Sequence, residues 1–80
     1  METKHQDRFK QLGLNIARYR KLRGMNQLQL AEAAGLSRTH ISNIEAPGGN
    51  ASVSLAKLFD IADALDIPVE LLFEYHDIQK

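Results

Sequence analysis

Cysteine is absent from this 80-residue chain, which excludes disulfides, thiolate nucleophiles and cysteine-held zinc. Its three histidines, His5, His40 and His76, lie too far apart in sequence to suggest a zinc motif. Long apolar runs are missing too. Nothing approaches the roughly 18 consecutive apolar residues of a membrane span, and the polar start has no signal-peptide core. The expected compartment is therefore the cytoplasm. No Gly-rich phosphate cradle or paired-carboxylate site occurs, and "PGG" at 47–49 reads as a loop rather than a P-loop. His40 lies near Ser37 and Ser42, but a nucleophile needs a base and an orienting acid converging in a pocket. A domain this small has little room for one. The expectation is a protein that is not an enzyme, with no catalytic residue, metal, cofactor or evident small-molecule site.

Net charge is also lacking, but the zero total hides a division. Residues 1–50 carry eight Lys/Arg against four acids, a net +4, whereas residues 51–80 carry two against six, a net −4. Such a dipolar chain offers a basic face to a polyanion while its far end repels one. With 44% apolar residues, the chain suits one compact domain over 1–80, its core about 7–75, and hardly two.

The periodicity predicts helices and no strands, hence an all-α fold. Phe9, Leu12, Ile16 and Tyr19 mark the inward stripe of a first helix, about Asp7 to Arg23, ended by Gly24. Asn26 caps a second helix that buries Leu30, Ala31 and Ala34 and closes at Gly35. Ser37 caps a third, with Ile41 and Ile44 inward. After the loop "PGGNAS" comes a fourth, about Ser54 to Leu65, with Leu55, Leu58, Phe59, Ala62 and Leu65 in register. Pro68 suits the first turn of a short fifth helix, Val69 to about Tyr75. Asp60, Asp63, Asp66 and Glu70 fall outward as a solvated face.

The third helix is the informative one. At about 100° per residue from Ser37, Ile41 and Ile44 fall near 40° and 340°, while Arg38, Thr39, Ser42 and Asn43 span roughly 100° to 240°. These four bonding side chains share the face opposite the buried one. A purely solvated face would more typically mix Glu and Lys, which form helices better. Short side chains instead let the helix backbone approach another surface. In the DNA major groove, Arg bonds guanine O6 and N7, Asn bonds adenine, and the Thr methyl meets a thymine methyl.

Counting from Gln27, the small Ala31 is fifth, Gly35 ninth and Ile41 fifteenth, the spacing of two short helices joined by a sharp turn. "MNQLQLAEAAGLSRTHISNIE" resembles the helix-turn-helix of the Cro and lambda-repressor-like, or Xre, family. The likeness extends through "LGLNIARYRKLRG" before it and "SLAKLFDIADALDIPVELLF" after it, about Leu12 to Phe73. It implies a compact five-helix lambda-repressor-like domain, helix-turn-helix at 26–46, acting as a sequence-specific DNA-binding transcription regulator. It further implies that Gln27 bonds a phosphate and buttresses the third helix. Arg38, Thr39 and Asn43 would read bases, with Ser42 and His40 at the margins. Asn26, Ser37 and Asn50 are further phosphate candidates. The resemblance also pairs Arg20 with Glu45, and the first-helix stripe independently places Arg20 inward, where an unpaired guanidinium is costly.

Two departures carry expectations. "APGGNAS" lacks the Lys or Arg common in the family's loop, so Asn50, Ser52 and glycine amides would substitute by neutral bonds, with weaker salt dependence. Leu28 and Leu71 stand where relatives are usually polar. Val69, Leu71, Leu72, Phe73 and Tyr75 make the fifth helix apolar nearly all round, which a monomer cannot fully bury. Together with the family's habit of dimerising there, this predicts a homodimer on a pseudo-palindromic operator in double-stranded DNA. An antitoxin, or a protein-interaction module with secondary or lost DNA binding, remains the alternative on the same fold.

Overall fold

The computed structural model describes residues 5–46 and 53–75. Four α-helices run in order: α1 (Gln6–Leu22), α2 (Gln27–Ala34), α3 (Arg38–Glu45) and α4 (Leu55–Leu65). A short 3₁₀ helix, Val69–Phe73, follows, and no strand occurs among the described residues. None of these helices is long and apolar enough to cross a membrane.

Local chemistry fixes most of the boundaries. Gly24 and Gly35 both adopt φ +72°, the left-handed turn that stops α1 and α2. Asn26 and Gln29 form a reciprocal capping box, both hydrogen bonds 2.8 Å long, so α2 begins with its first donors satisfied. Ser37 Oγ accepts the His40 N–H to start α3, and Ser54 Oγ accepts that of Lys57 to start α4. At the other end of α4, Asp66 turns left-handed. There Arg23 donates to the carbonyls of Leu65 (2.7 Å) and Asp66 (2.9 Å), tying the loop after α1 to the end of α4.

Ile16, Leu30, Ile41, Ile61, Leu65 and Leu72 are the largest apolar side chains fully removed from solvent, one or more from every element. Two expected stripes are displaced. Phe9 is 41% exposed, because the neighbouring elements cover α1 only from about Gln11 onward. In α4 the buried positions are Leu58, Ile61, Ala62 and Leu65, while Leu55 and Phe59, one turn apart, face outward. Asp60, Asp63, Asp66 and Glu70 are exposed, as a solvated face would be.

The expected fifth α-helix is corrected to one 3₁₀ turn and a bit. Pro68 caps it from extended backbone, and its carbonyl takes the Leu71 N–H at 3.1 Å, an i to i+3 bond. Glu74 is already extended. The reason lies in α1: the wholly buried Asn15 amide donates to the carbonyls of Leu72 (2.9 Å) and Glu74 (2.7 Å). Carbonyls claimed by a side chain have no need of a further helical turn.

A candidate nucleic-acid interface

α3 packs against α1 and α2, which together bury Ile41 and Ile44. On the other side Arg38, Thr39 and Asn43 are exposed, with His40 and Ser42 half-buried at the edges. No hydrogen bond or ion pair engages the Arg38, Thr39 or Asn43 side chains among the described residues. The Ser37 oxygen, occupied as a cap acceptor, keeps its hydroxyl hydrogen to donate.

The far end of this helix is tied to its neighbours. Its last residue, Glu45, is buried and receives Arg20 in bidentate fashion, Nε to Oε2 at 2.8 Å and Nη2 to Oε1 at 3.0 Å. Gln27 Nε2 donates to the same Oε1 at 3.0 Å, and Arg20 Nη1 donates to the Met25 carbonyl at 2.8 Å. One carboxylate thus joins α1, the start of α2 and the end of α3. Such charge-assisted, fully partnered bonds give orientation as much as energy.

Gly13 supplies a contact that sequence reasoning did not anticipate. It is buried in α1, and a Cβ there would collide with the Ile44 carbonyl. Only a residue without a side chain lets α3 lie this close. A glycine inside an otherwise regular helical stripe is the signal that points to such an approach. Asn15 was equally unforeseen. Beside its two carbonyl bonds, Tyr19 Oη donates to Glu74 Oε1 at 3.1 Å, so α1 grips the segment after the 3₁₀ helix twice. Burial, and then the bond to the Glu74 carboxylate, push the Tyr19 hydroxyl pKa above its ordinary 10.0.

The structure therefore brings Arg38, Thr39, Asn43 and Ser42 to one face and gathers Gln27, Arg20 and Glu45 beneath its end. Asn26 lies at the adjacent α2 start, its side-chain oxygen and backbone N–H both spent on the capping box. Asn50 and Ser52, expected beside the groove, lie outside the described residues. The residues of the expected dimer face separate: Leu72 is fully buried and belongs to the core, Val69 and Leu71 are half-buried, and Phe73 and Tyr75 are exposed. Removing Leu72 from that face follows from its place under α1 and α4. Among the described residues no group of three or more His, Cys, Asp or Glu side chains is disposed to hold a metal ion.

The helix-turn-helix family matches residues 16–72, most of the chain. The chain belongs to the Xre-type helix-turn-helix family of transcription regulators. It is similar to the control protein C.SmaI of Serratia marcescens, 39% identical over 61 residues that span 76% of this chain and 70% of that protein. Among solved structures it resembles the restriction-modification controller protein C.AhdI from Aeromonas hydrophila. That match has a TM-score of 0.74 and 32% identity, covering 81% of this chain and 96% of the other. A hypothetical transcription factor, NHTF, from Neisseria superposes with a TM-score of 0.75 and 30% identity, covering 86% of this chain and 75% of that one. Within the family fold, α2 and α3 form the helix-turn-helix, and α1 and α4 are the supports that aim it.

Proposed function

We propose that this regulator binds double-stranded DNA sequence-specifically, as a homodimer on a pseudo-palindromic operator, and controls transcription by occupying it. The observation that carries the reading is the exposed row Arg38, Thr39 and Asn43 on a helix whose opposite face is buried and whose last residue is pinned by Arg20 and Gln27. Arg38 and Asn43 bring bidentate bonding capacity to guanine and adenine edges, and Thr39 brings a methyl. Gln27, held by Glu45 through one amide hydrogen, has a second hydrogen to offer a phosphate. Asn26 and Ser37, the caps of α2 and α3, are further phosphate candidates, and Asn50 is one on its sequence position alone. A two-fold pair would set two α3 helices roughly 34 Å apart, one turn of duplex.

The names of the relatives, a control protein and a restriction-modification controller, suggest where to seek the operator: in DNA preceding restriction-modification genes. Selection of binding sites from random duplexes tests the proposal directly. An enriched two-fold motif is expected. Asn43→Ala should then relax preference at one base position per half-site, costing about 1–3 kcal/mol there. Equal losses on selected and random DNA would contradict the role of Asn43. No enrichment, with another protein co-purifying, would favour the antitoxin or interaction-module alternative.

A further inference from the structure

Between Arg38 and the terminal Lys80 the chain carries a single lysine or arginine, Lys57. With histidine neutral, every other charge in that stretch is acidic, and the loop at 47–52 has no charge at all. The place of this one cation is therefore informative.

Lys57 is the third residue of α4, where its N–H is held by the Ser54 cap. α4 packs against α2, and the Lys57 ammonium comes to 3.5 Å from the carbonyl of Gly35, the left-handed residue of the turn between α2 and α3. Gly35 precedes Arg38 by three residues, at most about 11 Å of extended chain. The ammonium thus lies by the leading end of α3. Gln27 lies by the trailing end, through its bond to Glu45. An eight-residue helix is about 12 Å long, close to the width of a major groove, so donors past its two ends are spaced to meet the phosphate edges on either side.

Neither present contact commits Lys57. The Gly35 carbonyl at 3.5 Å is at the far limit of a hydrogen bond, and the Asp60 carboxylate, 3.8 Å away, makes an ion pair whose side chains are 41% and 49% exposed. Exposed pairs of this kind hold weakly and are screened by salt. A lysine brings a compact charge and three donors on a flexible stem, which serves a phosphate as a point charge.

We infer that Lys57 binds a backbone phosphate beside the start of α3, and that Asp60 is the anion this phosphate displaces. The inference rests on the DNA-binding reading above and adds to it a cation with its own internal competitor. Asp60 then tempers affinity for any duplex, because each Lys57 that turns to DNA gives up one ion pair.

Salt titrations of binding to a mixed-sequence duplex, and to a duplex enriched by selection, test it. Lys57→Gln should flatten the slope of log affinity against log salt by about 0.9 for each copy bound, and weaken binding at least threefold per copy near ~0.1 M salt, alike on both duplexes. Lys57→Arg, which keeps the charge, should keep the parent slope. Asp60→Asn should tighten binding about two- to fivefold, the strength of an exposed pair. Asp63→Asn removes the same charge from another exposed position of α4 and should change binding far less. In the Lys57→Gln background, Asp60→Asn should gain almost nothing. A parental slope in Lys57→Gln, or a loss confined to the selected duplex, overturns the phosphate contact. Equal gains from Asp60→Asn and Asp63→Asn, or a gain from Asp60→Asn that survives without Lys57, overturn Asp60 as the competitor. A parent that binds neither duplex overturns the DNA reading itself, and this inference with it.

Discussion

Removing Arg20 provides a demanding test of how α3 is held, because a single guanidinium reaches Glu45 at the end of α3 and the Met25 carbonyl before α2. Arg20→Leu keeps a similar stem but leaves the Glu45 carboxylate, only 6% exposed, with the Gln27 amide to donate to it. It also strips the Met25 carbonyl of its donor. Removing one member of a buried pair costs about 3–5 kcal/mol, because the other charge is left uncompensated. An 80-residue domain has a total stability of roughly 4–12 kcal/mol, so the variant should sit near the edge of folding. Its melting temperature should fall by at least roughly 12 °C, at about 4–8 °C per kcal/mol for a domain of this size. Urea denaturation at pH 7 measures the loss, and Glu45→Leu together with Arg20→Leu/Glu45→Leu completes the cycle. The double variant should recover a large part of the deficit, since no isolated buried charge remains. If Arg20→Leu lost less than about 1 kcal/mol and the two changes simply added, the pair would be a surface-type ion pair and the reasoning would fail.

Two other perturbations address the packing beneath the interface. Gly13→Ala should destabilise by about 1–3 kcal/mol despite alanine's better helix propensity, because the added methyl meets the rigid Ile44 carbonyl; an unchanged or raised melting temperature would show that α3 can shift at no cost. The Tyr19 pKa is raised in the fold, so its contribution is complete below its unfolded value of about 10 and is lost as pH rises through the folded value. Tyr19→Phe should therefore show a flatter decline in stability than the parent as pH rises above about 10, and parallel curves would remove Tyr19 as a source of that dependence.

The helix ends were legible because their chemistry is local. Gly24, Asn26, Gly35 and Ser37 each satisfy or terminate a backbone within a few residues, and each sits at a boundary of α1, α2 or α3. The inward side of α3 was legible for the same reason, since two isoleucines three apart leave little choice of phase. The stripes of α1 and α4 were less so. Periodicity says that Phe9 and Leu55 can share a face with buried neighbours, not that another element reaches far enough to cover them. Asn15 was invisible because its partners are backbone carbonyls 57 and 59 positions later, and carbonyls carry no sequence signature. That same amide ended the 3₁₀ helix at Phe73, so one unseen hydrogen-bonding residue shortened the expected fifth helix and also separated buried Leu72 from exposed Phe73 and Tyr75.

The brevity of α3 has a consequence of its own. Eight residues are too few to stay helical in water without support, so the exposed row of Arg38, Thr39 and Asn43 has no existence apart from the folded body behind it. Warming that loosens the body should therefore empty an operator at the same temperature at which the chain melts, with no interval in which a folded protein has lost only its grip. A regulator built this way would double as a thermometer of its own integrity.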